Sequence, residues 1–511
     1  MLGTLITADY VAGVVAAVAV LALLYKKSSL GDGKNAIPLS PGPPACWFWS
    51  NALPVVNDAD APLSIARALT DLVREYGPVV SFRQGSQVII VIGSVEATMS
   101  IMEAEGRSLV DRPPSLTAGE MLTNGMHIAM MPSGERFRRL RKAVHTHLQP
   151  KAVEAYEDMQ HENARRFILD ILNDPKNHQK HAGRYSASVI LRVTYGKSTP
   201  TASTDPEVVR IHKALDHFEL VMRPGAFLVD RVPLLRYLPG YGKQLTEWHH
   251  EELSLYRHQL ERVKSEMEQN KAGPSFTKTL LEHTADHQLA TDEMAYLAGT
   301  LFGAGADTTS VGITAVIMAA ACHPLAQAKV HEELDMIIGS DRAPTFKDSN
   351  LLPQLHAFVL EALRWRPIIP IGFPHSTNRD IIWQGYCIPK GATVYGCHWA
   401  ICHDPITFPD PDKFDPQRWL DSEGRLKNDM KSFTFGFGRR VCPGRHLADN
   451  SMYISVALLF WSFRIDQRPD APINTQASDS VVSHAVPFEI DVIPRTDVAK
   501  LREIMADETM Y

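Results

Sequence analysis

The sequence predicts a mainly α-helical catalytic domain with a small β region, preceded by an N-terminal transmembrane helix. Three observations carry this. Apolar residues recur with helical period over 62–76, 94–105, 134–148, 152–172 and 245–268. Strand-like runs are few and short. The opening residues 2–25 are mostly apolar. A chain of 511 residues can hold one large enzyme domain with an anchor. Its 45% hydrophobic and 22% charged content are those of a folded protein.

The predicted anchor spans 1–27. Its apolar core at 11–24 is followed by Lys26 and Lys27, and Asp9 lies ahead of it. A cleaved signal would carry its positive charge first and a cleavage site after; a cleaved signal or a peripheral helix is the alternative. The lysines put the following chain in the cytosol, as for a single-pass protein of the endoplasmic reticulum membrane. The core is shorter than the roughly 20 residues a span needs, so residues 4–9 extend it at the interface. Residues 28–45 read as a proline-rich hinge and 46–511 as the catalytic domain. Ile37-Pro38-Leu39-Ser40-Pro41-Gly42-Pro43-Pro44 is a stiff segment poor in backbone donors. A net charge of −6 without a basic tail argues against a nucleic-acid partner. Six cysteines without close pairs, and no Asn-x-Ser/Thr sequon, suit a reducing compartment.

Residues 79–83 and 87–92 predict a β-hairpin around Gln84-Gly85-Ser86. The stretch 134–142 is the most basic; a solvated helix face is its plainest reading. Residues 222–230 and 232–239 form an apolar, proline-broken segment, either a packed loop or a lid. A helix over 291–321 has Thr291 as candidate N-cap and ends at Pro324. Within it, Gly303 and Gly305 each cost about 1 kcal/mol relative to alanine, which calls for close packing or room for a ligand. Glu361 and Arg364 share a helix face. Cys397-His398 and Cys402-His403 lack a zinc spacing.

The most telling stretch is Phe435-Gly436-Phe437-Gly438-Arg439-Arg440-Val441-Cys442-Pro443-Gly444-Arg445. Its glycines let backbone approach a flat ligand. Cys442 falls just before an apolar helix at 446–463, with Pro443 suited to the first turn. Amide donors and the helix dipole there favour a thiolate.

Phe435, Gly438, Arg440, Cys442 and Gly444 meet the pattern F-x-x-G-x-R-x-C-x-G in full. The chain therefore resembles the cytochrome P450 family of haem-thiolate monooxygenases, and fungal microsomal members in particular, over roughly residues 38–495. The resemblance implies haem (iron protoporphyrin IX) with Cys442 as axial thiolate. Gly303-Ala304-Gly305-Ala306-Asp307-Thr308-Thr309 matches A-G-x-[D/E]-T-[T/S] and implies Asp307 and Thr308 as a proton-delivery pair beside bound O2. Arg141 matches the family's W-x-x-x-R string, but Phe137 replaces its Trp and lacks the indole donor. His375 matches a propionate-binding position. Glu361, Arg364 and Arg418, the last in Phe414-Asp415-Pro416-Gln417-Arg418-Trp419, would form a buried charged cluster. The implied partners are a NADPH-cytochrome reductase, O2, a lipophilic small molecule and the membrane. The implied setting is a tailoring step of fungal secondary metabolism. A haem-thiolate isomerase or dehydratase, or a non-catalytic haem protein, are the rival readings.

Overall fold

The helix Thr291–Cys322 is the spine of the computed structural model, which describes residues 37–44, 61–85, 87–197, 201–223, 225–475 and 482–506. It packs along helix His178–Tyr195, and also against Lys243–Glu268, Pro353–Trp365 and Arg445–Ser462. Helix Glu157–Asn173 packs between His178–Tyr195 and Arg445–Ser462. This bundle holds the largest apolar core. The predicted anchor at 1–27 lies outside the described residues. Among those residues one helix is long and apolar enough to cross a membrane, Thr291–Cys322, and it is mostly buried inside the domain.

Most predicted helices form within a residue or two of their expected ends, as periodicity allows. The central helix begins differently from expectation. Ala290, not Thr291, is the N-cap, and its N–H donates to the Glu293 carboxylate at 2.9 Å. The helix predicted at 152–172 is interrupted: Pro150–Val153 passes through a 3-10 turn, Glu154–Tyr156, into Glu157–Asn173. Glu154, Glu157 and Asp158 crowd like charges there, which weakens a regular turn. The helix predicted at 94–105 is a short α segment, Val95–Ala97, widening into π-type turns over Thr98–Glu103.

Four strands form the main sheet. The predicted hairpin is β1 (Val79–Gln84) with β2 (Gln87–Ile92), antiparallel, with Val79 opposite Ile92. β6 (Thr393–Gly396) runs parallel to β2, and β3 (His375–Ser376) pairs antiparallel with β6. β4 (Ile381–Trp383) and β5 (Tyr386–Ile388) make a hairpin, and β7 (Phe463–Gln467) pairs with β8 (Ile490–Pro494). The described part of the proline-rich segment lies against this sheet instead of standing off as a spacer. Its prolines cannot donate, but their carbonyls accept: Ser81 N–H donates to Pro41 O at 3.0 Å and Cys387 N–H to Pro38 O at 2.7 Å.

Between helix Lys243–Glu268 and the spine, the Tyr296 hydroxyl donates to the buried Glu252 carboxylate. Burial pushes the Glu252 carboxyl up to about 7, with the Tyr296 hydrogen bond opposing. In acid the group is protonated in both folded and unfolded chains. As pH rises from about 4.5 to about 7, the unfolded chain ionises Glu252 while the folded state resists a buried carboxylate, so stability is lost across that window and stays lost above it. Glu252→Gln should therefore exceed wild type in stability by about 3 kcal/mol at pH 8. The gain should vanish near pH 4, and urea melts across that range check it.

Candidate active site

The loop before helix Arg445–Ser462 is folded back on itself by its own amides. Gly436 N–H donates to Phe433 O at 3.0 Å, Arg440 N–H to Phe437 O at 3.1 Å, and Cys442 N–H to Phe435 O at 2.9 Å. Gly438 has φ +51°, and a Cβ there would fall 2.8 Å from Met102 O. Only glycine suits both the turn and the contact. Gly444 is the N-cap, so Pro443 precedes the helix and does not sit in its first turn as expected. A Cβ on Gly444 would lie 3.8 Å from Cys442 Sγ. The Phe435 ring lies under the Arg445 guanidinium at 5.8 Å.

Cys442 is solvent-accessible, although protein closes around its sulfur. That surrounding mass pushes the thiol pKa up, against the Gly444 N–H and the Arg141 charge. The amide donor predicted from sequence is present and is outweighed by desolvation. A bound cation would reverse the balance, since a thiol that coordinates a metal is deprotonated outright.

Three arginines and a histidine converge on this loop. Arg440 donates to Val110 O and Met131 O, both at 2.7 Å, and its guanidinium lies 3.7 Å from the Phe137 ring centre. Arg141 donates to Val441 O. Arg112 donates to Ala129 O at 2.8 Å and to Pro374 O. His375 is buried on β3, with Nδ1 at 2.8 Å from Leu109 O. Burial holds Arg112 down to about 9 and Arg440 to about 10, and His375 to about 3, where Arg112 adds repulsion. Among the described residues no carboxylate forms an ion pair with Arg112, Arg141 or Arg440. Phe137, in place of the expected Trp, gives up a donor and supplies a ring face to Arg440. Sequence reasoning missed Arg112; its one signal is its place before Pro113-Pro114, which fixes an extended backbone.

On the spine, the structure separates two residues predicted as a pair. The Thr308 hydroxyl donates to Ala304 O at 2.8 Å, and Ala304 is exposed in an otherwise buried stretch. Asp307 is buried, and its Oδ2 meets His484 Nε2 at 3.0 Å. Both glycines turn from the Ala304 face into neighbouring helices. A Cβ on Gly305 would strike Ile190 at 2.5 Å, and one on Gly303 would press Leu215 at 3.3 Å. Close packing therefore accounts for the glycines, and the open position is Ala304.

The remaining predicted residues come together. Glu361, fully buried, accepts from Arg364 Nε and Nη2, both at 2.8 Å, and from Arg418 Nε at 3.1 Å. Asp415 N–H and Trp419 Nε1 complete its shell at 2.8 and 2.9 Å. Cys397 and Cys402 are buried, and the Cys402 carbonyl accepts from Arg364 Nη1 at 2.9 Å. His403 Nδ1 is bonded to Trp399 O at 2.8 Å, so the two Cys-His pairs form no metal cluster.

A helical domain with a reachable cysteine on a glycine loop, ringed by cations without carboxylate partners, defines a thiolate site for a large anionic prosthetic group. The cytochrome P450 family model matches residues 40–492, and the chain belongs to that family. Cytochrome P450 monooxygenase 113 of Postia placenta is 44% identical over 492 residues, covering 96% of this chain and 98% of that protein. Cytochrome P450 monooxygenase 64 of the same fungus is 43% identical, covering 94% and 97%. Cytochrome P450 monooxygenase claR of Ampulloclitocybe clavipes is 32% identical, covering 95% and 92%. The protein is thus a monooxygenase of haem-thiolate type. The unpaired arginines fit the two carboxylates such a haem carries.

If these arginines answer an anion, Arg440→Met and Arg112→Met should each lower the haem bound per folded chain several-fold. The haem-to-protein absorbance ratio measures it. Full loading in both variants would remove the arginines from the site.

Proposed function

We propose that Cys442 Sγ would ligate the haem iron, that Arg112, Arg141, Arg440 and His375 would hold the haem propionates, and that the substrate is a lipophilic small molecule. The convergence of three guanidinium cations on the Cys442 loop, with the neutral His375 imidazole beside them, carries the reading. The bound haem supplies an iron that activates O2 with electrons from outside, the thiolate favouring O–O cleavage. The chain's own part is to bind, orient and move protons. Thr308, held on Ala304 O, presents its hydroxyl at the open face of the spine. Asp307 on the adjoining face feeds protons toward it.

The apolar cluster around Ala118, Leu122 and Val221 has both Phe227 and Phe373 packed against it. The Phe373 ring lies 5.8 Å from the Arg112 guanidinium, so an apolar route reaches the cationic ring. Leu228, Leu234, Tyr237 and Leu238 are exposed over it. Asp230 pins this segment by accepting Leu116 N–H at 2.8 Å. The segment is read as an entrance resting on the endoplasmic reticulum membrane, with residues 1–27 as its anchor and the domain in the cytosol. A NADPH-cytochrome reductase would dock on the exposed cations Arg138, Lys142 and Arg439 beside the cysteine loop. Similarity to fungal monooxygenases supports a tailoring step in secondary metabolism.

Two variants test the core of this. Cys442→Ser should lose the red-shifted ferrous–CO Soret band of thiolate-ligated haem, because a serine oxygen cannot replace the soft sulfur. A retained band would make another group the ligand. Thr308→Ala should keep haem and continue to oxidise NADPH while peroxide per NADPH rises several-fold. Unchanged peroxide yield would take Thr308 out of proton delivery.

A further inference from the structure

Behind the spine, away from the Ala304 face, lies a second cavity of about 900 Å3, open to solvent and walled by polar side chains. Helix His178–Tyr195 contributes Lys180 and Arg184, helix Pro206–Met222 contributes Asp216 and Glu219, and the spine contributes Asp307. Its inner end is the contact of His484 Nε2 with Asp307 Oδ2 at 3.0 Å, with Glu219 Oε1 4.0 Å from the same nitrogen. Asp307 and Glu219 are 8% and 12% exposed at the side chain, and His484 is 36% exposed. The imidazole therefore spans from the wet cavity to a carboxylate that water barely reaches.

His484 is positioned from the chain that precedes β8. Ser483 N–H donates to Ile368 O at 2.7 Å, and His484 N–H to Val482 O at 2.7 Å. Ile368 in turn lies 3.6 Å from where a Cβ on Gly312 would sit, against the spine. The backbone that presents the ring is thus tied to the floor of the same helix that carries Asp307. An ion pair to lysine or arginine would serve as well if Asp307 needed only a structural partner. Imidazole differs in that it takes and gives protons near neutral pH.

We propose that His484 relays protons from this cavity to Asp307, a role that rests on the reading of Asp307 and Thr308 above. Monooxygenation reduces one oxygen atom of O2 to water and so consumes protons at a site the spine screens from this cavity. In the relay, cavity water gives a proton to one ring nitrogen, and the Nε2 proton passes to Asp307 Oδ2. The resulting carboxylic acid releases it on the Thr308 side. The ring then regains its first tautomer by exchange with cavity water, and no electron moves. His484 is a positioning residue here, because it acts through Asp307.

The test uses the full-length, haem-loaded enzyme with reductase, NADPH and O2 alone, since oxygen reduction without substrate draws on the same protons. Rates and peroxide per NADPH are measured in H2O and D2O for His484→Gln, His484→Asn and Asp307→Asn. Gln can place an amide donor where Nε2 stands and Asn falls short of Asp307, and neither carries a proton onward. The relay predicts several-fold slower oxidation and a larger solvent isotope effect in all three, with the ferrous–CO band unchanged. A second measurement does not depend on turnover: the ring 15N resonances of His484 are titrated in wild type and Asp307→Asn. Loss of the carboxylate charge should lower the imidazole pKa by about one unit or more. Wild-type rates and isotope effect in both His484 variants, with Asp307→Asn slowed, would overturn the relay alone. Unchanged behaviour in Asp307→Asn would overturn the underlying reading of Asp307 as well. A titration blind to Asp307 would show that the contact does not couple the two groups, and the relay would fall.

Discussion

Positive charge buried without a carboxylate partner is the constraint around which the site is built. Burying a guanidinium is costly unless its donors are met. Arg112 and Arg440 meet theirs with backbone carbonyls, gathering residues 110, 128–131 and 374 around one loop. Carbonyl dipoles satisfy the hydrogen bonds but not the charge. Both arginines accordingly sit well below their usual pKa, with Arg440 adding repulsion at Arg112 and Arg141 adding it at Arg440. The arrangement is complete only with an anion, and the carboxylates of the family's haem would supply one.

A second charged centre on the cysteine side of the spine works in the opposite sense. Glu361 accepts five donors and has no capacity left, while Arg364 also donates to Cys402 O and Pro411 O at 2.9 and 2.8 Å. Every member is answered from within the chain, so the cluster has nothing to offer a ligand. Its worth is in fixing helix Pro353–Trp365 against the 409–419 segment. Losing one member would strand a buried charge at a cost of about 3–5 kcal/mol. Comparing the two centres separates structure from recognition more sharply than burial does, since both are buried.

What the sequence made legible follows from how each group is assembled. Cys442, Gly438, Arg440 and the Glu361–Arg364 pair are set by spacing within one loop or one helical turn, and such spacing can be read directly. Arg112 and His484 gain their meaning from partners that include segments more than a hundred positions away, and no local pattern marks them. Phe137 was legible as a lost donor, but its contact with Arg440 required the fold. The two glycines of the spine were ambiguous by nature. Packing and ligand access both favour a missing side chain, and only the positions of Ile190 and Leu215 decide between them.

Asp307 and Thr308 illustrate the same limit from the other side. Adjacent in sequence, they stand about 100° apart around a helix with 3.6 residues per turn. Thr308 therefore shares a face with Ala304, and Asp307 shares one with Gly303 and Ser310. The first face is open, whereas the second packs on helix Pro206–Met222 and looks into the polar cavity. The spine thus acts as a partition with one polar group on each side. Water can be kept from the reacting side while a proton still crosses, provided the carboxylate moves between its partners. On the proposed relay, a single hydrogen bond to a partly exposed imidazole suits Asp307 better than the saturated shell that locks Glu361 in place.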